Sequence, residues 1–226
     1  MNSAVIVAAG RGTRFGPQRD KLFLEMGGIP IVGHTWRRFD QHPGIAEVVL
    51  VARASLEMAF HELAKGLHLK KPYRIVPGGA ERQDSVWNGL EAIHENAKVV
   101  AIHDGARPCV STELITACLH AAEEHGAAVA AQPATDTMKE SADARTITKH
   151  LDRSKLWSVQ TPQTFRVEII RRALSEVRDR GLQVTDDTAA CELIGQTVHL
   201  VPSRAANPKV TVPEDLKYLE FLLASL

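Results

Sequence analysis

The sequence predicts an α/β protein built on a mostly parallel sheet, and three observations carry that prediction. Short apolar runs rich in Val, Ile and Ala recur along the chain, stretches with helical spacing separate them, and polar, glycine-containing loops follow the runs. The runs fall at residues 4–9, 47–52, 74–76, 99–103 and 127–132. Apart from polar residues at their ends they are apolar in succession rather than on alternate residues, which suits strands covered on both faces. Between them, residues 31–39, 56–67, 85–94 and 112–125 repeat apolar residues at helical intervals, so strand and helix alternate as they do in a doubly wound sheet. After 132 the pattern changes. Residues 133–157 mix polar and β-branched residues such as Thr146, Ile147 and Thr148 with no long apolar run, and read as a protruding hairpin or arm, the alternative being a mobile surface loop. With so little core of its own, such an arm needs a partner surface, which points to a symmetric dimer. Residues 166–180 and 188–195 are expected to be helical, 197–201 and 208–212 extended, and 213–223 a closing helix with Pro213 at its start.

Size and charge narrow the class. The chain of 226 residues, 44% hydrophobic and 24% charged, suffices for one domain with one sizeable core, so the expected organisation is a single domain over 1–226 with the arm inserted at about 133–157. Lys plus Arg and Asp plus Glu both number 27, so no net field favours nucleic acid or an anionic membrane, and any basic site is local. The apolar run 4–9 is too short to span a bilayer and has no basic leader before it, which leads us to expect a cytoplasmic protein. Cys109, Cys118 and Cys191 are widely spaced with no CxxC pair, and read as buried thiols of a reducing compartment.

In parallel α/β sheets ligands bind beyond the carboxyl ends of the strands, and three loops occupy those positions. The first, Ala8-Ala9-Gly10-Arg11-Gly12-Thr13-Arg14-Phe15-Gly16, is a run of small residues whose backbone N–H groups can approach an anion. It is not a GxxxxGK[ST] loop, and Phe15 breaks the GxGxxG pattern, which weighs against a dehydrogenase. Arg14 and Lys21 follow as two cations within reach of phosphates held there. The second loop, Gly78-Gly79-Ala80-Glu81-Arg82-Gln83-Asp84-Ser85, opens a helix and reads either as a plain cap or as a clamp on a base and ribose. The third, His103-Asp104-Gly105-Ala106-Arg107-Pro108, puts a carboxylate at a strand end, where Asp104 is a candidate ligand for a hydrated divalent cation or simply a turn former.

Taken in order, AAGRGTRF with Lys21, GGAERQDSV, HDGARP, DTMK at 136–139, DR at 152–153, TPQTF at 161–165, TDD at 185–187 and NPKVTVPEDL at 207–216 span nearly the whole chain. This order resembles the family of 2-C-methyl-D-erythritol 4-phosphate cytidylyltransferases, the third enzyme of the non-mevalonate isoprenoid pathway. The resemblance implies a Rossmann-like nucleotidyltransferase with a twisted sheet and a dimerising β-arm. It implies transfer of CMP from CTP to the sugar alcohol phosphate, release of pyrophosphate, and Mg²⁺ carried mainly by the triphosphate. It further implies that Arg14 and Lys21 stabilise the triphosphate, and that Arg153 and Lys209 position the acceptor phosphate. Asp104, Thr137, Thr161 and Thr185 match acceptor-site groups, with Thr137 and Arg153 arriving on the partner's arm. Ala8, Ala9, Gly10, Gly79, Ser85 and Gly105 match the shell around cytosine and ribose, and Gly12 and Arg82 are assigned with them to the nucleotide.

The chemistry of the residues agrees. A phosphate nucleophile with a second pKa of about 6 is already ionised near neutrality, so cations rather than a general base are the expected catalytic groups, and His103 reads as structural. Three positions depart from the family pattern: Asp20 and Leu22 flank Lys21 where Pro and Gln are common, and Ala80 stands where Asp is frequent. Asp20 is expected to weaken the local positive potential. A ribitol-5-phosphate cytidylyltransferase is the nearest alternative, disfavoured by ARPC and DTMK. A non-catalytic nucleotide-binding module is the alternative of another class, disfavoured by the cations assigned to the acceptor. No second enzyme is expected fused beyond Leu226.

Overall fold

The computed structural model describes residues 1–10, 12, 15 and 20–224. Seven strands form the central sheet: β1 (Asn2–Ala8), β4 (Glu47–Ala52), β5 (Tyr73–Pro77), β6 (Val99–Asp104), β7 (Ala127–Pro133), β10 (Trp157–Arg166) and β11 (His199–Pro202). Their spatial order is β11-β7-β10-β6-β1-β4-β5. Every pairing is parallel except those of β10, which runs antiparallel to both of its neighbours. The five predicted strands are all present. Two-residue strands β2 (Glu25–Met26) and β3 (Ile29–Pro30) pair beside the sheet.

Period-two alternation divides the core. From β1 and β4, Ala4, Ile6, Val48 and Leu50 face one layer, while Val5, Val49 and Val51 face the other. The first layer holds α1 (Ile31–Gln41), α2 (Glu57–Leu67), α4 (Thr112–His125) and α7 (Asp215–Leu223), which contribute Trp36, Phe39, Phe60, Ile115 and Leu219. The second holds α3 (Arg82–Ala92), α5 (Val167–Asp179) and α6 (Asp187–Leu193), which contribute Val86, Leu90, Ile170, Leu174 and Cys191. Each fully buried large side chain contributes about 1.5–3 kcal/mol. All six residues of β4 are buried, which accounts for the apolar run 48–52, while the buried Glu47 at its start accepts from Ser3 Oγ at 2.8 Å. The helix ends follow the sequence. Ser111 caps α4 by accepting from Leu114 N, and Gly126 ends it at φ 89°.

One strand appears beyond those expected, and two expectations change. First, β10 has no apolar run to announce it. Ser158, Gln160, Thr161, Gln163 and Thr164 lie along it with Pro162 among them, yet residues 160–165 are buried. The proline is tolerated because the register against β7 jumps between Val159 and Gln163, and pairing with β6 starts only at Gln163. Second, residues 208–212 form no strand and cross the carboxyl edge irregularly, with Val210 N donating to Ala106 O at 2.9 Å. Third, α7 starts at Asp215, because Asp215 Oδ2 accepts from Thr211 N and Val212 N and closes a turn ahead of it.

The arm leaves the sheet at Pro133 and returns at Trp157, two residues that pair with one another. Within it β8 (Lys139–Glu140) and β9 (Lys149–His150) form a short antiparallel hairpin. Every residue from Thr135 to His150 is exposed.

Candidate active site

The parallel strands deliver their loops to one edge, where a cavity of about 590 Å³ opens. Its walls include Ala8 at the end of β1 with Ala9 and Gly10 after it, Gly79, Arg82 and Ser85 after β5, Asp104 and Gly105 at the end of β6, and both Lys21 and Lys209. Ten of the residues expected at the site are thus brought together. Gly12 lies just behind the wall. Its φ of 57° suits glycine, and a Cβ there would come within 3.3 Å of Lys21 Cγ, so the lysine stem lies against it. Arg14 lies outside the described residues.

The second loop is both a cap and a wall. Glu81 and Asp84 form a reciprocal capping box at the start of α3. Ser85 Oγ accepts from Gly79 N at 3.1 Å and donates to Glu81 O at 3.2 Å, so the hydroxyl shapes the loop. The first and second loops touch closely: a Cβ on Gly78 would fall 2.3 Å from Ala9 Cβ.

Asp104 is the electrostatic centre. Its Oδ2 lies 2.9 Å from Lys209 Nζ and 3.5 Å from Arg107 Nε, and its Oδ1 is 3.8 Å from Arg82 Nε. Burial alone would raise its pKa, but Lys209 first, then Arg82 and Arg107, outweigh burial and hold it down at about 2. Arg82 also donates from Nη1 to Asp187 Oδ2 at 2.8 Å. Burial opposes Arg82's charge, yet Asp187 and Asp104 together raise its pKa. The two carboxylates on Arg82 shift in opposite directions. Asp187 is raised, because it is fully buried with a single cation and its Oδ1 has no hydrogen-bond partner among the described residues, whereas Asp104 has three cations.

Lys209 reaches this cluster because the 207–210 segment is tied down at several points. Arg107 Nη1 donates to Asn207 O, Asn207 Nδ2 donates to Thr161 O, and Val210 N bonds Ala106 O. Lys21 Nζ donates to Val210 O at 2.8 Å, so the two lysines converge on consecutive residues of one segment.

Behind Asp104 runs a buried relay. His103 Nε2 meets Arg107 O at 3.1 Å and must carry the proton, which leaves Nδ1 to accept from Thr161 Oγ1 at 3.0 Å. Thr161 Oγ1 in turn accepts from Asp104 N at 3.1 Å. Complete burial lowers the His103 pKa to about 4, so the ring is neutral. Thr161, expected at the acceptor, therefore has its hydroxyl engaged behind the cavity and acts through the placement of Asp104. Thr185 is exposed in the loop before α6 and does not line the cavity. Thr137 and Arg153 are exposed on the arm and do not line the cavity either, and Arg153 Nη1 donates to Thr135 O at 2.7 Å.

Arg53 and Ser55, which line the cavity, were not anticipated. Their only trace in the sequence is position, since Arg53 is the first residue after the 47–52 run. It forms an ion pair with Asp20, so the charge of Asp20 is met by a partner and does not stand alone near the cavity. As a metal ligand Asp104 fits poorly, because both its oxygens face cations. Among the described residues no group of three His, Cys, Asp or Glu side chains could hold a metal ion.

Comparison with known proteins points to one family. The family model for 2-C-methyl-D-erythritol 4-phosphate cytidylyltransferase matches residues 2–225. A relative of that name from Pelotomaculum thermopropionicum is 40% identical over 98% of this chain and 93% of its own. One from Bacillus licheniformis is 39% identical over 99% and 96%. Among solved structures, 4-diphosphocytidyl-2C-methyl-D-erythritol synthase from Anaerococcus prevotii superposes with a TM-score of 0.87 at 28% identity, covering 98% of this chain and 95% of that one. The Thermus thermophilus cytidylyltransferase gives 0.81 at 32% identity over the whole of both chains. A bifunctional relative from Desulforudis audaxviator matches 97% of this chain at 41% identity but over only 56% of its own length. On the match over 2–225 and these identities, the chain belongs to the 2-C-methyl-D-erythritol 4-phosphate cytidylyltransferase family.

Proposed function

We propose that this protein transfers the cytidylyl group of CTP to 2-C-methyl-D-erythritol 4-phosphate, forming 4-diphosphocytidyl-2-C-methyl-D-erythritol and pyrophosphate. The observation that carries this reading is the convergence of Lys21 and Lys209 on one segment beside Asp104 and Arg82, facing the small-residue wall Ala8–Gly10. A wall of Ala and Gly leaves backbone groups open to a base and ribose, while two ammonium groups and a guanidinium offset the repulsion between two phosphates.

In this reading Ala8, Ala9, Gly10, Gly79, Ser85 and Gly105 shape the nucleotide pocket, and Lys21, joined by Arg14, neutralises the triphosphate. Lys209 holds the acceptor phosphate for in-line attack. The incoming phosphate takes over part of the charge that Asp104 now neutralises on Lys209 and Arg82, so the carboxylate keeps those cations in place before substrate arrives. No general base is required, because the attacking oxygen is already ionised. Mg²⁺ carried by the triphosphate would supply further charge neutralisation, beside that of Lys21 and Lys209. Thr137 and Arg153 belong to the acceptor site of a second subunit. Support comes from the arm, which carries both residues and springs from the same sheet edge as the cavity. The free buried cysteines suit a cytoplasmic setting.

The test is pyrophosphate release from CTP and Mg²⁺ with 2-C-methyl-D-erythritol 4-phosphate, ribitol 5-phosphate or no acceptor, repeated with UTP and ATP. Release that depends on the methylerythritol phosphate and on CTP supports the reading. Preference for ribitol phosphate overturns the acceptor, and no release with either overturns catalysis.

A further inference from the structure

Asp20 and Arg53 are 33 residues apart, and each stands beside an element of the cavity. Asp20 immediately precedes Lys21 and caps the short 3₁₀ turn Lys21–Phe23, its Oδ1 accepting from Leu22 N at 3.0 Å. Its other oxygen forms the ion pair with Arg53. Arg53 follows the last residue of β4, stands immediately before the next 3₁₀ turn, Ala54–Leu56, and lines the cavity. One carboxylate thus ties the backbone of the turn that carries Lys21 to the rigid carboxyl end of a fully buried strand. The side chains of Asp20 and Arg53 are only 15% and 30% exposed, so the pair is partly shielded from solvent. The turn has two further anchors, since Leu22 is buried in the core and the Lys21 stem lies against Gly12.

We propose that the Asp20–Arg53 pair is a positioning clamp for Lys21, holding its ammonium at the height of Lys209 for the triphosphate. The clamp rests on the reading that the cavity takes CTP. Neither residue is assigned contact with the reacting atoms. The proposal has an electrostatic signature that separates it from a simple charge effect. Neutralising Asp20 removes a negative charge and releases a cation beside the cavity, so long-range electrostatics alone predicts tighter binding of a triphosphate. A clamp predicts weaker binding, because the lysine loses its fixed position.

The experiment compares Asp20→Asn, which can keep the cap, Arg53→Gln, and the double variant. Calorimetric binding of CTP, kcat and KM for both substrates, and hydrogen exchange of the 20–24 segment in the ligand-free protein are measured for each. We expect each single change to weaken CTP binding and lower kcat/KM for CTP by about tenfold to a hundredfold, with the acceptor KM unmoved. The double variant should be no worse than the poorer single, since one cut opens the clamp. Exchange at 20–24 should quicken in all three. Tighter CTP binding in Asp20→Asn, losses that multiply in the double variant, or unchanged exchange in Arg53→Gln would each overturn the clamp. If wild type binds no CTP, the nucleotide reading falls, and the exchange measurement still decides whether the pair holds the turn.

Discussion

The carboxyl-edge cluster and the arm are built on opposite principles. Asp104, Thr161, His103 and Asn207 are almost entirely buried, and their hydrogen bonds join residues up to 100 positions apart. The arm from Thr135 to His150 is exposed throughout and bonds mostly to itself, as in Asp143 with Arg145 and Thr146, or Thr148 with Glu140. Ion pairs at the edge converge on the buried carboxylate of Asp104, which sets their geometry before any ligand arrives. The arm has no core that could fix it. The first region is preorganised by burial, and the second is held by local hydrogen bonds at its surface.

The largest effect should come from the preorganised region. Lys21→Ala or Lys209→Ala should lower turnover by about 10²–10³-fold with an unchanged circular dichroism spectrum, and near-normal rates in both would detach the lysines from the chemistry. Next is His103. Between pH 6.5 and about 4 the unfolded chain binds a proton that the folded ring does not. Stability should therefore fall as pH drops through that window, by roughly 3 kcal/mol, and below it the penalty is complete. His103→Gln should flatten that limb in denaturant titrations taken at successive pH values. A methyl group added by Gly78→Ala collides with Ala9 and should cost about 1–3 kcal/mol, read as a lower urea midpoint; an unchanged midpoint would show that the two loops yield easily.

The arm should respond differently. Arg153→Ala should raise the acceptor KM about tenfold or more and leave the urea midpoint alone, whereas an unmoved KM would remove Arg153 from the acceptor site. Ile147 is 69% exposed near the arm's tip. Ile147→Ser should change unfolding free energy at low protein concentration by less than about 0.5 kcal/mol. If the arm also seats on a second copy, sedimentation should show weaker self-association in the same variant.

How much of this could be read from the sequence follows the same division. Strands such as 47–52 are buried on both faces and have to be apolar, so their composition reveals them. So do the glycine loops, because only small residues permit the close approach seen between Gly78 and Ala9. β10 could not be read, since it sits in the middle of the sheet on polar residues whose partners come from elsewhere: Thr161 from His103, Gln163 from Asp186, Gln160 from Gln132 and Asn207. Burial of polar side chains is legible only once their partners are known. For the same reason Asp20 alone reads as an unfavourable charge, and only the fold supplies Arg53.

The reversed direction of β10 has one more consequence. A parallel strand presents its end at the ligand edge, but an antiparallel one presents its beginning. The chain that precedes β10 must therefore approach from the ligand side, and that chain is the arm. Threading alone puts the root of the arm at the same edge of the sheet as the cavity, so lengthening or recutting the arm leaves its root where it is. Moving the root away from the cavity would require turning β10 around and giving up its pairing with both neighbours.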